Sequence, residues 1–195
     1  MAAIGVFCAS SSTLDQRWLD LATATGHELA SRGHSLVSGG GCVGMMGALA
    51  DGTRSGGGYT LGVIPQPLVD LEVADTASDE LVVTDGMASR KTLMIEKSDA
   101  FVTLPGGLGT LDELFEVWTT AVLGMHRKPV VLVNADGFYQ GLLDWLDRLA
   151  DTEFVRHSAR DLLLVADSVP AAIDTIEARL DAIEARLDAT DARLG

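Results

Sequence analysis

Short apolar runs alternate along the chain with stretches in which apolar residues recur at helical spacing. The runs Ala3–Cys8, Ser35–Ser38, Thr60–Ile64, Glu80–Thr84, Asp99–Leu104 and Pro129–Asn134 read as strands, with a weaker one at Leu162–Val165. Helical periodicity covers Leu14–Arg32, Gly44–Arg54, Met87–Lys97, Leu111–Met125 and Tyr139–Asp151. Such repeated alternation predicts an α/β fold: a single-domain, Rossmann-like, doubly wound parallel sheet with helices on both faces. In a sheet of this kind a ligand binds beyond the carboxyl ends of the strands, at the topological switch point. Three loops follow strands and so fall on that edge: the Ser10–Ser12 cluster, a glycine loop from Ser38 to Gly47 and another from Pro105 to Gly109.

The segment Asp99–Glu113, DAFVTLPGGLGTLDE, carries the most chemistry. Its apolar run is broken by Pro105, and Leu111, Leu114, Phe115 and Trp118 then recur at helical spacing, so the glycines sit at a strand-to-helix turn. The first amides of a helix lack partners and the dipole is positive there, so Gly106, Gly107 and Gly109 let a phosphate approach the backbone. Glu113, one turn into the helix, is unexpected in a simple phosphate loop because its charge repels the ligand. Its role is therefore chemical rather than structural.

The other loop, SGGGCVGMMG, contains G-x-G-x-x-G at Gly39, Gly41 and Gly44 and, with Gly40, is a second candidate phosphate loop. A nicotinamide site is disfavoured: the acidic residue expected about twenty positions on is missing, since the next strand ends in Ile64-Pro65-Gln66 and the first carboxylate is Asp70. The motif also sits on the second strand–helix unit rather than the first. The structural alternative is that these glycines serve tight turns and close helix–strand packing. Between the two loops, Met87-Ala88-Ser89-Arg90-Lys91-Thr92-Leu93-Met94 begins a helix with adjacent cations at the same edge, where the Arg90 guanidinium can grip phosphate or ribose. Lys97 and Lys128 read as solvated surface, and His27, His34, His126 and His157 as surface rather than ligands.

Composition narrows the partners. With 195 residues, 47% hydrophobic and 22% charged, the chain can bury a sizeable core as one domain. A net charge of −14 opposes binding to a nucleic-acid polymer or an anionic membrane, so an anionic ligand must be held by a local site. No run approaches membrane-spanning length and the N-terminus lacks signal-peptide character. Cys8 and Cys42 have no partner motif and read as reduced thiols of a cytoplasmic protein, not as a disulfide or metal site.

Together, GGGCVGMMG, MASRK and PGGLGTLDE, with Arg90 and Gly106 sixteen residues apart, resemble the Lonely Guy (LOG) family of cytokinin-activating enzymes over about Ile4–Pro170. That resemblance implies a Rossmann-like homodimer that releases a free base and ribose 5-phosphate from purine nucleoside 5′-monophosphates, with no metal and no organic cofactor. It makes Arg90 and Glu113 the catalytic pair. It puts the phosphate on Gly107, Gly109 and Thr110, with Glu72, Lys91, Leu108, Asp112 and Thr119 as further substrate contacts. Leu108 stands where many members carry tyrosine, and CASSS where a glycine is common, which bears on base preference.

Lysine decarboxylase-like is a common label in this family, but pyridoxal phosphate needs a Schiff-base lysine, and Lys91 beside Arg90 is the only one near the glycine loops. The competing reading is a non-catalytic nucleotide-binding or carrier protein of the same fold. Retention of both Arg90 and Glu113 favours the enzyme, because a pure binder gains nothing from a carboxylate facing a phosphate ester.

The expected organisation is a Rossmann-like nucleotide-hydrolase domain over 1–170 and an amphipathic heptad helix over 171–195. In the tail, IEARLDAIEARLDATDARL, Leu180, Leu187 and Leu194 occupy one seam position and Ile176 and Ile183 the other. Glu177 and Glu184 flank one side and Arg179 and Arg186 the other, which suits parallel helices pairing Arg179 with Glu184 of a neighbour. A homodimer through the main domain and a tetramer through the tail follow. The alternative is a final amphipathic helix lying on its own domain.

Overall fold

A computed structural model of the chain describes residues 1–71 and 73–191. In chain order the elements are β1 (Ala3–Phe7), α1 (Gln16–Ser31), β2 (Ser35–Ser38), α2 (Gly44–Ser55), β3 (Thr60–Pro65), α3 (Gln66–Val69), β4 (Glu80–Thr84), α4 (Met87–Lys97), β5 (Ala100–Thr103), α5 (Leu108–Val122), β6 (Val130–Val133), α6 (Gln140–Asp151), α7 (His157–Arg160), β7 (Leu163–Ala166) and α8 (Val169–Asp191). The seven strands form one parallel sheet in the order β4-β3-β2-β1-β5-β6-β7. This is the predicted doubly wound α/β fold. The two short helices α3 and α7 were not expected, being too brief to show a period.

Side chains alternate along each strand, so one sequence feeds two cores. Ile4, Val6, Leu36, Val102 and Val131 pack against α1, α2 and α8, while Phe7, Val37, Val63, Phe101 and Leu132 pack against α4, α5 and α6. Burial on both faces is why the strands read as continuous apolar runs rather than as alternating ones. Local signals set the helix ends: the Asp15 carboxylate accepts from the Arg17 N–H at 3.0 Å to cap α1, and Ser89 Oγ accepts from the Gly86 N–H at 3.2 Å to open α4. Helix α5 starts at Leu108, three residues before the predicted Leu111, so Gly109 and Thr110 lie in its first turn.

The chain runs outward from β1 through β2 and β3 to β4, then crosses back to lay β5 on the other side of β1. The switch point is therefore the crevice between β1 and β5. Beyond their carboxyl ends, the Ala9 N–H donates to the Pro105 carbonyl at 3.3 Å and ties the two loops together.

Helix α8 begins at Val169 and its first turns belong to the core: Val169, Ala172, Ile173 and Ile176 are buried and Leu180 packs against them. Glu177 is also engaged at home, accepting from Arg32 Nη1 at 3.0 Å and pairing with His34 Nε2 at 3.0 Å. His34, expected at the surface, is buried because its other ring nitrogen accepts the Ala2 N–H. His126 is half-buried and bonds Thr120 Oγ1 and the Val117 carbonyl. Leu194 and the side chain of Leu187 lie outside the described residues. Among the described residues no helix is long and apolar enough to cross a membrane.

Candidate active site

Arg90 rises from the first turns of α4 and Glu113 from the second turn of α5, and the two meet beneath the switch point. Arg90 Nη1 donates to Glu113 Oε1 at 2.8 Å, and both residues are buried, at 6% and 9% exposure. The rest of the guanidinium is held by backbone: Nε donates to the Val63 carbonyl at 3.0 Å and Nη2 to the Gly39 carbonyl at 3.4 Å. Three elements thus fix one side chain. Of its five donors, two stay free for a ligand.

Gly39 is needed for this. A Cβ there would lie 1.9 Å from Arg90 Nη2, so any other residue displaces the guanidinium. Much of its loop is also engaged by the protein. The amides of Gly40, Cys42 and Met45 donate to Ser38 Oγ, the Val73 carbonyl and the Ala9 carbonyl, Gly41 bridges Ala74, and Gly44 (φ 61°) sits so close to the Ser10–Ser11 backbone that a Cβ would come within 2.5 Å of the Ser11 carbonyl oxygen. These contacts match the structural alternative for this loop, with Gly39 serving the arginine.

The turn before α5 differs. Leu111 N–H is the first to close back, on the Gly107 carbonyl at 3.0 Å, which leaves the Leu108, Gly109 and Thr110 amides at the helix end. Added Cβ atoms at Gly107 and Gly109 would meet nothing within 4 Å, whereas one at Gly106 would strike Thr110 Oγ1 at 2.1 Å. Gly106 lets Thr110 tuck under the turn, and Gly107 and Gly109 keep its outer surface open. Tyr139 braces the loop from below: its hydroxyl donates to the Leu104 carbonyl at 2.9 Å and accepts from the Gly106 N–H. Nothing in the sequence singles out Tyr139, since it reads as one more apolar start to a helix.

Burial pushes the Glu113 carboxyl above the ordinary glutamate range, with the Arg90 guanidinium pulling the other way. Oε1 is engaged by Arg90, and Oε2 makes no protein hydrogen bond among the described residues, so it is the oxygen available to a ligand. Burial, reinforced by the Glu113 charge, also keeps the Cys8 thiol protonated at the end of β1.

The remaining predicted residues divide. Lys91 bridges Asp112 at 2.8 Å and Glu116 at 2.5 Å, both on α5, and those partners raise its pKa. Asp112 therefore points away from Glu113 and serves the α4–α5 contact. Leu108 is 88% exposed at the helix start. Thr119 is exposed, six residues or about 9 Å of helical rise beyond Glu113, and bonds neither member of the pair. Glu72 lies outside the described residues. Among the described residues no three His, Cys, Asp or Glu side chains gather with metal-binding geometry.

An open glycine turn at a helix end, set beside a buried guanidinium–carboxylate pair at the edge of a parallel sheet, is the arrangement expected of an α/β nucleotide-binding protein, with the carboxylate as its candidate reactive group. The chain belongs to the family described as "Possible lysine decarboxylase", which matches residues 46–176 and is the LOG family expected from the motifs. It is 49% identical over 170 residues to the cytokinin riboside 5′-monophosphate phosphoribohydrolase of Mycobacterium tuberculosis, covering 87% of this chain and 90% of that one. An Arabidopsis thaliana enzyme of the same name is 42% identical over 167 residues, covering 86% and 78%. Among solved structures, the molybdenum cofactor carrier protein of Chlamydomonas reinhardtii superposes with a TM-score of 0.69 at 27% identity, covering 92% of this chain and 98% of that one. The molybdenum cofactor binding protein of Rippkaea orientalis gives 0.71 at 25%, covering 92% and 97%. Pyridoxal chemistry does not fit the residues present. Lys91 is pinned as an ammonium between two carboxylates, and Lys128 donates to the Ile95 carbonyl at 2.6 Å.

The two kinds of glycine make opposite predictions for stability. Gly39→Ala forces the methyl against a buried guanidinium and is expected to cost about 1–3 kcal/mol in denaturant unfolding. Gly107→Ala, with open space around the new methyl, is expected to change stability by less than about 0.5 kcal/mol.

Proposed function

We propose that the protein is a phosphoribohydrolase that cleaves the N-glycosidic bond of purine nucleoside 5′-monophosphates, cytokinin ribosides or adenosine, to free base and ribose 5-phosphate. The observation that carries the reading is Glu113: a buried carboxylate with one oxygen unengaged, within a turn of an open phosphate-sized helix end. In the proposed complex the phosphate rests on the Gly107, Gly109 and Thr110 amides at the positive end of α5, and the ribose lies over Glu113. The C1′–N bond breaks with its electron pair leaving on the base, and the ribosyl centre gains oxocarbenium character. Glu113 stabilises that cation and then takes a proton from the water whose oxygen bonds to C1′; that proton passes to the departed base, which restores the carboxylate. Arg90 holds Glu113 in place and lends its two free donors to the substrate. The relatives' names support this reading.

The carrier reading draws on the molybdenum cofactor proteins, which share the fold. Turnover separates the two. Purified protein incubated with AMP is expected to release adenine, and with adenosine very little, because phosphate binding energy positions the ribose. Equal release from both would remove the phosphate from α5, and no release would favour the carrier. EDTA is expected to leave the rate unchanged, since the proposed chemistry uses no metal ion.

Residue roles follow from the pair. Glu113→Gln is expected to lower turnover at least about a hundredfold with nucleotide binding unchanged or tighter. Arg90→Ala is expected to slow turnover, weaken binding and destabilise the fold, because it strands a buried carboxylate. Asp112→Asn is expected to cost less than about tenfold, since Lys91 keeps Glu116. Because the pKa of Glu113 is raised, the carboxylate forms only above the ordinary range. The acid limb of kcat/KM is therefore expected above that range and lost in Glu113→Gln.

We also propose a homodimer through the main domain and a cytoplasmic location. The first is supported by Leu123, Met125 and Phe154, which are 69%, 72% and 84% exposed, and the second by two cysteines that stay free. Ile176 and Leu180, two of the five proposed seam residues, and Glu177 of the flank are engaged within the chain, which favours a tail lying on its own domain over a tetramer. Truncation after Leu180 is accordingly expected to leave the light-scattering mass at a dimer. A fall from a tetrameric mass would restore the coiled coil.

A further inference from the structure

At the amino-terminal edge of the sheet, opposite Glu113, a cavity of about 350 Å³ opens between α8, the α5–β6 loop and the start of β7. Its walls are apolar, with Pro129, Leu162, Leu164 and Ile183 among them. Its charged lining is dominated by cations: Arg127, Lys128, Arg179 and Arg186 against the single carboxylate of Asp161. That is unexpected in a chain with 28 acidic and 14 basic residues, where a basic side chain readily finds a carboxylate. Arg17, Arg32, Arg54, Arg90, Lys91 and Arg160 all do. At the cavity, Lys128 is spent on the Ile95 and Glu96 carbonyls at the end of α4. Arg127 and Arg179 make no hydrogen bond or ion pair among the described residues, so two guanidinium forks on the lining of one apolar cavity stay unfilled.

We propose that this cavity binds a small amphipathic anion, one phosphate, sulfonate or carboxylate head on an aromatic or branched apolar body. Guanidinium forks match planar or tetrahedral oxyanions in a bidentate manner, while the apolar walls take the body. The volume lies at the lower end of the range for small-ligand clefts, which limits the occupant to about the size of a mononucleotide or an aromatic acid. Against the net charge of the protein, only a local cluster of this kind attracts an anion to that edge. Neither Arg127 nor Arg179 belongs to the catalytic site, so the proposal stands apart from the hydrolase reading.

The probe is 8-anilinonaphthalene-1-sulfonate, which joins a sulfonate to an aromatic body, followed by fluorescence titration and calorimetry on the full chain. One saturable site is expected, weakened at least about tenfold in Arg127→Ala/Arg179→Ala, in line with loss of charge-assisted bonds. Arg148→Ala/Arg156→Ala, which removes two arginines outside the cavity with no ion pair among the described residues, is expected to keep the affinity. Excess ribose 5-phosphate, an anion without an apolar body, is expected to leave the probe bound, and the rate on AMP to be unchanged in both double variants. Undiminished binding in Arg127→Ala/Arg179→Ala, displacement by ribose 5-phosphate, or absence of saturable binding overturns the proposal. So does a drop in light-scattering mass for that variant, which would assign the cavity to a second copy of the chain.

Discussion

A guanidinium and a carboxylate buried together at a sheet edge impose a condition on everything around them. Removing either partner leaves a desolvated charge, which typically costs about 3–5 kcal/mol, so the fold must deliver both to within hydrogen-bond distance. Arg90 and Glu113 come from different helices on one face of the sheet and meet at 2.8 Å. Two further donors of the arginine are answered by the carbonyls of Val63, on β3, and Gly39, after β2. The carboxyl ends of two strands and the early turns of two helices are therefore registered against one side chain. Such a group is rigid before any ligand arrives, which a catalytic carboxylate requires, because reorganisation during reaction would subtract from the stabilisation it offers.

The same condition explains why two glycine loops that look alike do different work. Both lie at strand-to-helix turns on the ligand edge, and at the level of residue spacing either suits a phosphate. What separates them is three-dimensional: the Ser38–Gly47 loop meets the guanidinium, the Ser10–Ser11 backbone and the Ala74 bridge, whereas Gly107 and Gly109 meet nothing. A glycine required for lack of space and one beside open space carry the same letter. Element positions were legible because apolar periodicity is local, and every predicted strand lies within two residues of the observed one at each end. The edge on which Arg90 and Glu113 sit was legible from strand–helix order. Their mutual contact was not, because it depends on the depth at which α4 and α5 cross the sheet. Tyr139, which braces the Gly106 turn from the far side of β6, left no mark in the pattern for the same reason.

The tail illustrates the converse. A seven-residue repeat records which side of a helix is apolar but not what covers it, and a helix lying on its own domain satisfies the repeat as well as a partner helix does. In α8 the early seam residues Ile176 and Leu180 face the core beside Ala172 and Ile173, and Glu177 closes on Arg32 and His34. Glu177, read as part of an intermolecular charge code, thus serves first to fasten the helix to the α1–β2 turn, whose His34 also holds the chain start.

Net charge and local charge separate along the same lines. At −14 the protein repels anions at long range, and its substrate, if phosphorylated, approaches against that field. Affinity must then come from short-range donors, and in the proposed complex the open amides of α5 and the two free donors of Arg90 supply them. In that complex Glu113 subtracts from the affinity, since its charge repels the phosphate. A carboxylate that weakens ground-state binding yet gains strength as positive charge develops on the ribose contributes to the difference between the two states, and only that difference accelerates the reaction. Burial sharpens it further, because the medium that raises the pKa of Glu113 also leaves little water to screen its attraction for a cation.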